Sequence, residues 1–263
     1  MRYKPINESA VRQVVEGHGF DWYYRDETES TNADVLRYHA EHQRDVVAFS
    51  EAQTAGRGRR GRLWLSPFAR NIYCTVGISK RMPASHQGLL SIVTGLALCK
   101  ILRQDTAAPI CLKWPNDVLH EGRKLGGILI ESRPLDEHDY FFAIGFGLNV
   151  FMDCDELAGI SQPATSLEQV ATRHPDRSKL LMKSIESVIE SIRMFEPAAA
   201  ADLVAEFARF DAFHNRSVEV IYGENRIGGI NRGITESGQL QLETEGGIEI
   251  HSSAEISLRV ATE

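Results

Sequence analysis

The order of apolar segments along the chain is the feature that most constrains its fold. Runs that suit β-strands recur through the first part of the sequence, and an apolar helix, Leu89 to Leu102, lies among them. That helix is too short and too often interrupted by polar residues to cross a bilayer, so we expect it to be buried. The predicted strands are 22–24, 46–50, 71–78, 110–113, 125–132 and 140–148, and the other predicted helices are 8–16, one from residue 31, 177–194 and 198–210. The pattern predicts an α+β domain in which helices back a mixed sheet.

The C-terminal part of the chain has a different composition. Short β-branched runs begin near Phe213 and are separated by glycines. Turn signals at such short intervals predict a small β-barrel. We therefore predict two domains, a catalytic domain over residues 1–212 and a small C-terminal β-barrel over residues 213–263.

Composition and charge exclude several classes of protein. The chain has 263 residues, of which 43 % are hydrophobic and 25 % charged, as is typical of a globular protein. Its formal net charge of -7 disfavours a nucleic-acid-binding protein, which would show a broad basic face. The cysteines are widely spaced without a C-x-x-C motif, so neither a zinc site nor a disulfide framework is predicted. Because no signal peptide is recognisable, we expect a cytoplasmic protein with no membrane partner. The acidic charge leads us to expect no DNA partner either.

The segment from Gly56 to Trp64, here called the arginine loop, combines three glycines with four arginines. Glycines let a backbone approach a ligand closely and arginines supply fixed positive charge, so the loop predicts an anion site, most simply for phosphate. The loop satisfies G-x-G-x-x-G, but Ser66 and Pro67 follow where a dinucleotide-binding turn would open into a helix, and the Lys-Ser/Thr pair of a P-loop is absent. The loop therefore either clamps a small anionic ligand or lies on a nucleic-acid backbone.

Three further motifs place polar or small residues at predicted strand ends: Lys113–Asp117 (K-W-P-N-D), Lys124–Glu131 and Gly145–Asn149. The first sets a cation, an amide and a carboxylate around a proline that fixes the backbone, which suits a nucleotide, although an ordinary proline turn with a surface lysine has the same pattern. In the second motif, the glycines let the backbone approach a ligand beside Lys124. The alternative is a hairpin turn with a solvated lysine. The third ends a strand with small residues, against which a flat ligand can lie.

Together with Glu29–Asn32, Gln53 and the terminal Glu255–Arg259, these motifs follow an order that resembles the biotin protein ligases. The resemblance covers essentially the whole chain and indicates the monofunctional type, which lacks an N-terminal DNA-binding domain. It implies the biotin/lipoate ligase fold and an ATP-dependent ligase that activates biotin as biotinyl-5′-AMP. The biotin is then transferred to a lysine of a biotin carboxyl carrier protein of acetyl-CoA carboxylase. The resemblance also implies ATP as co-substrate and Mg²⁺ as the accompanying ion, without a tightly bound prosthetic group. It further implies a homodimer that forms through the edge of the catalytic sheet.

The same resemblance implies a role for each matching residue. The residues implied to bind biotin are Ser30, Thr31, Asn32, Gln53, Gly56, Arg57, Lys124, Gly126, Gly127, Gly145 and Gly147. Those implied to bind ATP or the adenylate are Arg59, Arg60, Arg62, Trp64, Lys113, Asn116 and Asn149, with Trp64 stacking on adenine. The implied catalytic residues are Arg59, Lys113 and Lys124, and Asp117 would assist magnesium. Helix capping by Ser30 and Thr31, and core packing by Trp64, are the structural alternatives.

Two other functions stay open from the sequence. A lipoate or octanoate ligase has the same catalytic fold, but it is not expected to combine this arginine loop with K-W-P-N-D. An RNA-binding module would use arginine–glycine contacts, but the chain is acidic and shows no aromatic-rich strand of the kind that stacks on bases. For a ligase we expect the arginine loop to be mobile when empty and to order on ligand binding, because its glycines lose entropy and its arginines repel one another.

Overall fold

The computed structural model describes residues 5–160, 162–222, 224–252 and 257–260. The terminal Glu255–Ile256 pair and the side chain of Arg259 lie outside the described residues. The helices are α1 (Glu8–Gly17), α2 (Thr31–His42), α3 (Leu89–Thr106), α4 (Cys154–Ala158), α5 (Leu167–Val170), α6 (Arg177–Met194) and α7 (Ala200–Phe210). The strands are β1 (Asp21–Thr28), β2 (Val46–Gln53), β3 (Ile72–Arg81), β4 (Ile110–Lys113), β5 (Asp117–His120), β6 (Arg123–Pro134), β7 (Asp139–Leu148), β8 (Ser217–Tyr222), β9 (Asn225–Ile234), β10 (Leu240–Thr244), β11 (Gly247–His251) and β12 (Ser257–Val260).

The large domain is built on a seven-stranded sheet with the order β1-β2-β3-β7-β6-β5-β4. The β1–β2 pair is parallel, and the other neighbours are antiparallel. The longest ladder joins β3 to β7, from Ile72 opposite Leu148 to Arg81 opposite Asp139. The prediction of a mixed sheet backed by helices is confirmed.

Helices cover both faces of this sheet because its central strands are apolar on both sides. On one face, α1, α3 and α6 pack with alternate residues of β2, β3 and β7 in the main core. On the other face, α2 places Val35 against Val46, Ala48, Phe141 and Ala143. Together with the turn before it, α3 is long and apolar enough to cross a membrane by length and composition, but most of its apolar stretch is buried, as in the core helix of a globular domain.

The C-terminal domain is a five-stranded antiparallel sheet with the order β11-β10-β9-β8-β12. The predicted β-rich domain is present, but the prediction of a closed barrel is wrong. Closure requires pairing of the two edge strands, whereas β11 pairs with β10 and β12 with β8, and no ladder joins β11 to β12 among the described residues.

The two domains meet at the β4 edge of the large sheet. Asp211 forms a parallel bridge with Leu112, and the amide of Ala212 donates to the carbonyl oxygen of Leu112 at 2.8 Å. Strand β4 is therefore hydrogen-bonded on both sides, by β5 within the sheet and by the segment that leads into the C-terminal domain.

Candidate active site

The candidate site lies on the face of the sheet covered by α2, just beyond the first residues of that helix. Phe141, Ala143, Gly145 and Gly147 alternate along β7 and point to this face. Phe141 and Ala143 pack beneath α2, and Gly145 lies beneath Asn32 at the start of the helix. Side chains on this face of β7 become smaller where the helix begins, which lets side chains from other segments lie directly on the end of the strand.

A polar network forms one end of the site. The side-chain oxygen of Gln53 accepts from the backbone amide of Thr31 at 3.0 Å and from its hydroxyl at 3.3 Å, and the side-chain nitrogen of Gln53 donates to Ser66 Oγ at 3.1 Å. Thr75 Oγ1 lies 2.8 Å from Thr31 Oγ1 and 2.7 Å from Asn32 Oδ1. The side-chain nitrogen of Asn32 donates to the carbonyl oxygen of Leu129 and to a carboxylate oxygen of Glu131.

The start of α2 is not capped by a side chain. Ser30 is the residue that precedes the helix, and its side chain makes no capping hydrogen bond. Thr31 is nearly buried, and its hydroxyl contacts Gln53 and Thr75 rather than the backbone of the helix. Helix capping therefore does not explain these two side chains, and both remain candidates for ligand contact.

The arginine loop folds back on itself like a narrow hairpin. Arg57 bridges Leu63, the amide of Gly58 donates to the carbonyl oxygen of Arg62 at 2.8 Å, and the amide of Trp64 donates to that of Gly56 at 2.9 Å. A Cβ on Gly56 would lie 2.6 Å from the Trp64 carbonyl oxygen and 2.7 Å from Ser66 Oγ, so this closure requires glycine. Arg57, Arg60 and Arg62 are exposed, whereas Arg59 is partly buried.

The loop brings Trp64 onto the sheet. A Cβ on Gly147 would lie 2.6 Å from Cε2 and Cζ2 of the Trp64 indole, and one on Gly127 would lie 3.3 Å from its Cζ3. The ammonium nitrogen of Lys124 lies 5.3 Å from the centre of the ring, in the range of a cation–π contact. The indole N–H is buried and has no hydrogen-bond partner among the described residues, so it is available to a ligand.

Charged groups gather beside this indole. Lys124 Nζ lies 2.6 Å from Asp117 Oδ1, and both side chains are largely buried. Burial and the neighbouring Arg60 lower the pKa of the Arg59 guanidinium below its ordinary value, while Asp117 acts in the opposite direction. Arg59 of the loop, Lys124 of β6 and Asp117 of β5 therefore share one electrostatic environment.

The K-W-P-N-D segment is the tight turn between β4 and β5. Lys113 pairs with Asp117 across the hairpin, and the amide of Asn116 donates to the carbonyl oxygen of Lys113 at 3.1 Å. The side chain of Asn116 donates to the carbonyl oxygen of Ile128 at 2.7 Å, which fastens the turn to β6. The turn thus lies directly beside the Lys124–Gly127 segment.

The predicted alternatives for the lysine segment can now be compared with the structure. The hairpin turn is formed by Glu121 and Gly122, both with positive φ, and it precedes Lys124. The Lys124 side chain is 15 % exposed and faces Asp117 and Trp64, so the interpretation as a solvated turn lysine is wrong.

Two predicted site residues have other contacts. Asn149 is almost completely buried, and its side-chain nitrogen donates to the carbonyl oxygens of Lys124 and Thr165 at 3.4 and 3.1 Å. It therefore fastens strand ends together. A Cβ on Gly126 would meet Leu148 and the backbone of Gly147, so this glycine allows close packing between β6 and β7 and does not line the space beside Trp64.

Several residues of the site were absent from the sequence-based prediction. Three of them, Thr75, Ser66 and Glu131, take part in the polar network. The fourth is Thr165, whose carbonyl oxygen accepts a hydrogen bond from the side chain of Asn149. Thr75 had a visible signal, since a polar residue inside an apolar strand needs a hydrogen-bond partner when buried. An open cavity of about 500 Å³ is lined in part by Pro163 and Ala164, the two residues that bond to the backbone of Lys124.

The described part of the chain contains no cluster of three or more histidine, cysteine, aspartate or glutamate side chains that would hold a metal ion. One carboxylate oxygen of Asp117 already forms an ion pair with Lys124. The site therefore offers at most a carboxylate contact to a metal that arrives with a ligand, which is the usual way Mg²⁺ accompanies nucleotide phosphates.

Comparison with known proteins identifies the family. The model of the Biotin/lipoate A/B protein ligase family matches residues 22–149, and that of the Biotin protein ligase C terminal domain matches residues 213–259. The chain is 34 % identical to the biotin–[acetyl-CoA-carboxylase] ligase of Mycobacterium tuberculosis, over 96 % of this chain and 95 % of that protein. It is 36 % identical to the bifunctional ligase/repressor of Escherichia coli, over 89 % of this chain and 72 % of that protein.

A solved structure agrees with this assignment. The biotin protein ligase of Aquifex aeolicus in complex with biotin and ATP superimposes with a TM-score of 0.75 and 27 % identity, over 92 % of this chain and 99 % of that one. Residues of four motifs meet around the Trp64 indole, and a curated relative matches the chain along nearly its whole length. This chain therefore belongs to the biotin protein ligases, within the Biotin/lipoate A/B protein ligase family.

Proposed function

We propose that the cleft between α2, the arginine loop and the ends of β6 and β7 performs both steps of biotin ligation. The ligase activates biotin with ATP as biotinyl-5′-AMP and transfers it to a lysine of a carboxylase carrier protein. The observation that carries the proposal is the position of the Trp64 indole, across Gly147 and Gly127 and 5.3 Å from Lys124 Nζ. That contact joins the arginine loop, the lysine segment and the strand-end glycines in a single site.

The polar network suits the head group of biotin, which carries a urea with hydrogen-bond donors and an acceptor. Gln53 and Thr31 supply an amide and a hydroxyl at one end, and Ser30 has no capping bond that would occupy its hydroxyl. The apolar chain of biotin would then run beside the Trp64 indole towards Lys124. We assign Asn32 to positioning, because its side-chain nitrogen donates to two protein groups, Leu129 and Glu131, and its oxygen accepts from Thr75, whereas the nitrogen of Gln53 donates to Ser66 alone.

In the first step, a carboxylate oxygen of biotin attacks the α-phosphorus of ATP, and the bond to pyrophosphate breaks. Negative charge develops on the phosphate oxygens, and preorganised cations stabilise it. Lys124 and Arg59 are placed for this task, and the loop arginines Arg60 and Arg62 would face the leaving pyrophosphate. Lys124 leaves Asp117 for the ligand when the substrates bind.

In the second step, the amine of the carrier lysine attacks the acyl carbon of the anhydride, AMP leaves and the amine loses a proton. The enzyme's task is to position the two reactants and to keep water from the anhydride. Trp64 forms a wall over the reacting atoms, and we propose that it stacks against the adenylate. Lys113 and Asn116 hold the nucleotide from the β4–β5 turn.

Magnesium, the dimer and the cellular location also belong to the proposal. Mg²⁺ would be held by the ATP phosphates with Asp117 as a protein contact, and it would neutralise part of the phosphate charge. A homodimer would use the β1 edge of the large sheet, because β4 is already bonded to Asp211 and Ala212 on its outer side. We propose a cytoplasmic location.

The test is biotin-dependent exchange of labelled pyrophosphate into ATP, run beside lipoate and octanoate, with the wild type, Arg59→Ala and Arg226→Ala. Arg226 is an exposed arginine in the C-terminal domain, paired with Glu219, and serves as the matched control. We expect exchange with biotin alone, lost in Arg59→Ala and retained in Arg226→Ala. Exchange only with lipoate or octanoate would assign the chain to the sister activity, and equal exchange in both variants would remove Arg59 from the catalytic step.

A further inference from the structure

The C-terminal domain contacts the β4–β5 turn through a buried hydrogen bond. The indole N–H of Trp114 donates to the carbonyl oxygen of Gly238 at 3.0 Å, and the Trp114 side chain is only 1 % exposed. Gly238 lies in the turn between β9 and β10. A buried indole N–H costs free energy when it is left without an acceptor, so this contact favours one position of the turn relative to Trp114.

The β9–β10 turn is itself fixed against the large domain. Gly238 has a φ of +80°, and a Cβ on it would lie 3.1 Å from Leu89 Cδ2 and 3.4 Å from backbone at the start of α3. Two hydrogen bonds hold the turn internally: the amide of Gly238 donates to the carbonyl oxygen of Thr235, and the amide of Thr235 donates to the carbonyl oxygen of Gln239. It is thus a compact, well-packed element.

A second attachment of the C-terminal domain lies beside Leu112 of β4. The buried Asn231 of β9 donates through its side-chain nitrogen to Asp211 at 2.8 Å, and Asp211 bridges Leu112 in β4. The C-terminal domain is therefore hydrogen-bonded to this part of the large domain at two points. Asn231 bonds to Asp211 beside Leu112, and Gly238 bonds to Trp114, the residue that follows β4.

Trp114 lies between the two residues assigned to the nucleotide. Lys113 precedes it, and Asn116 follows after Pro115. The other fixed points of the turn are Ser91, whose hydroxyl donates to the carbonyl oxygen of Pro115 at 2.9 Å, and Ile128, which receives the side chain of Asn116. Within this set, Trp114 provides the link to the C-terminal domain.

We propose that the β9–β10 turn of the C-terminal domain is a positioning element of the nucleotide site, acting through Trp114 on Lys113 and Asn116. Neither Trp114 nor Gly238 touches the substrate. Their role is to fix the backbone from which the two ligand-binding side chains extend. The inference rests on the proposed role of Lys113 and Asn116 in holding ATP.

The experiment compares Trp114→Phe with Val220→Ala and Lys113→Ala in the pyrophosphate-exchange assay, with the Tm of each variant. Trp114→Phe keeps an aromatic ring and removes the N–H donor. Val220 is a fully buried residue of β8, and its truncation weakens the C-terminal domain without removing the contact. We expect Trp114→Phe to raise the KM for ATP about three- to tenfold, the range of one buried hydrogen bond, with the KM for biotin unchanged. Val220→Ala should lower Tm and leave both KM values unchanged.

The outcomes separate the inference from the function it rests on. An unchanged KM for ATP in Lys113→Ala would refute the assignment of the nucleotide to this turn. A raised KM in Lys113→Ala but not in Trp114→Phe would refute the positioning role alone. Equal changes of KM in Trp114→Phe and Val220→Ala would also refute it, since loss of domain stability would then suffice.

Gly238→Ala provides a second variant in case Trp114→Phe does not fold. The added methyl strains a backbone with positive φ and pushes the turn away from α3, without changing any residue of the large domain. We expect the same selective rise in the KM for ATP, and a variant with the wild-type KM for ATP would contradict the inference.

Discussion

Replacing Gly147 with alanine should displace Trp64 and weaken catalysis without disturbing β7. The added Cβ would lie 2.6 Å from two indole carbons, whereas ordinary contacts begin at 3.4 Å, so the ring must retreat by at least the 0.8 Å difference. The backbone of Gly147 lies in a regular ladder with Tyr73 and Gly127 and has no positive φ, so alanine suits the strand itself. The perturbation is therefore directed at the indole.

The expected magnitude follows from overpacking. Forcing a methyl group into a filled contact costs about 1–3 kcal/mol. If Trp64 must lie in this position in the transition state, the same cost raises the activation free energy. At about 1.4 kcal/mol per factor of ten, kcat/KM should then fall about 5- to 150-fold. Gly127→Ala places its methyl 3.3 Å from the same ring and 3.2 Å from Cε of Lys124, contacts that require only small shifts of both side chains, so we expect a clearly smaller loss.

The assay is steady-state biotinylation of a carrier protein domain, with Tm measured in parallel. Gly228→Ala is the matched control, since it is also a strand glycine and no atom lies within 4 Å of the added Cβ. It should retain wild-type activity. A Gly147→Ala enzyme with kcat/KM within twofold of wild type, at any Tm, would refute the idea that the indole lies on Gly147 during catalysis.

Three further predictions concern the head-group network, the loop and the domain junction. Gln53→Ala should raise the KM for biotin by about 5- to 150-fold while leaving that for ATP unchanged, because Thr31 and Ser66 lose their shared partner; steady-state kinetics would show it, and a selective effect on ATP would contradict the assignment. Limited proteolysis should cut within the arginine loop of the free enzyme and slow when biotin and ATP are present, so cleavage at an unchanged rate would argue against ordering. Burial raises the pKa of Asp211, so the native state holds its proton to higher pH than the unfolded state, and the stability that this residue contributes is lost as pH rises through the raised pKa. The free energy of unfolding of the wild type relative to Asp211→Asn should therefore fall as pH rises from the ordinary aspartate pKa through the raised pKa, as measured by urea denaturation, and a constant or growing difference would exclude this role.

The predicted elements were most accurate where apolar runs were long and bounded by turn residues. The helix predicted from Leu89 and the strand predicted to end at Leu148 both occur where expected. Strand β5 was missed because Asp117–His120 is short and polar at both ends, so that periodicity gives no signal. The open form of the C-terminal sheet also escaped prediction, because closure depends on which edges pair and not on the alternation within each strand.

The site was predictable in its members but not in its contacts. Glycines, arginines and lysines in successive motifs indicated an anion site, since only such residues combine close backbone approach with fixed charge. The sequence did not indicate that Trp64 lies on Gly147 or that Lys124 pairs with Asp117, because both contacts depend on the path of a loop or a hairpin. Nor did the sequence show that the side-chain amide of Asn149 donates to protein carbonyl groups. Those carbonyl groups, of Lys124 and Thr165, are brought close to it only by the fold.

The hydrogen bond from Trp114 to Gly238 also bears on how the protein is made. Its partners are separated by 124 residues along the chain. During synthesis, the seven-stranded sheet and its helices leave the ribosome before the β9–β10 turn exists, and domains generally fold in that order. A nascent chain therefore acquires this restraint on the β4–β5 turn only after all seven strands of the large sheet have been synthesised.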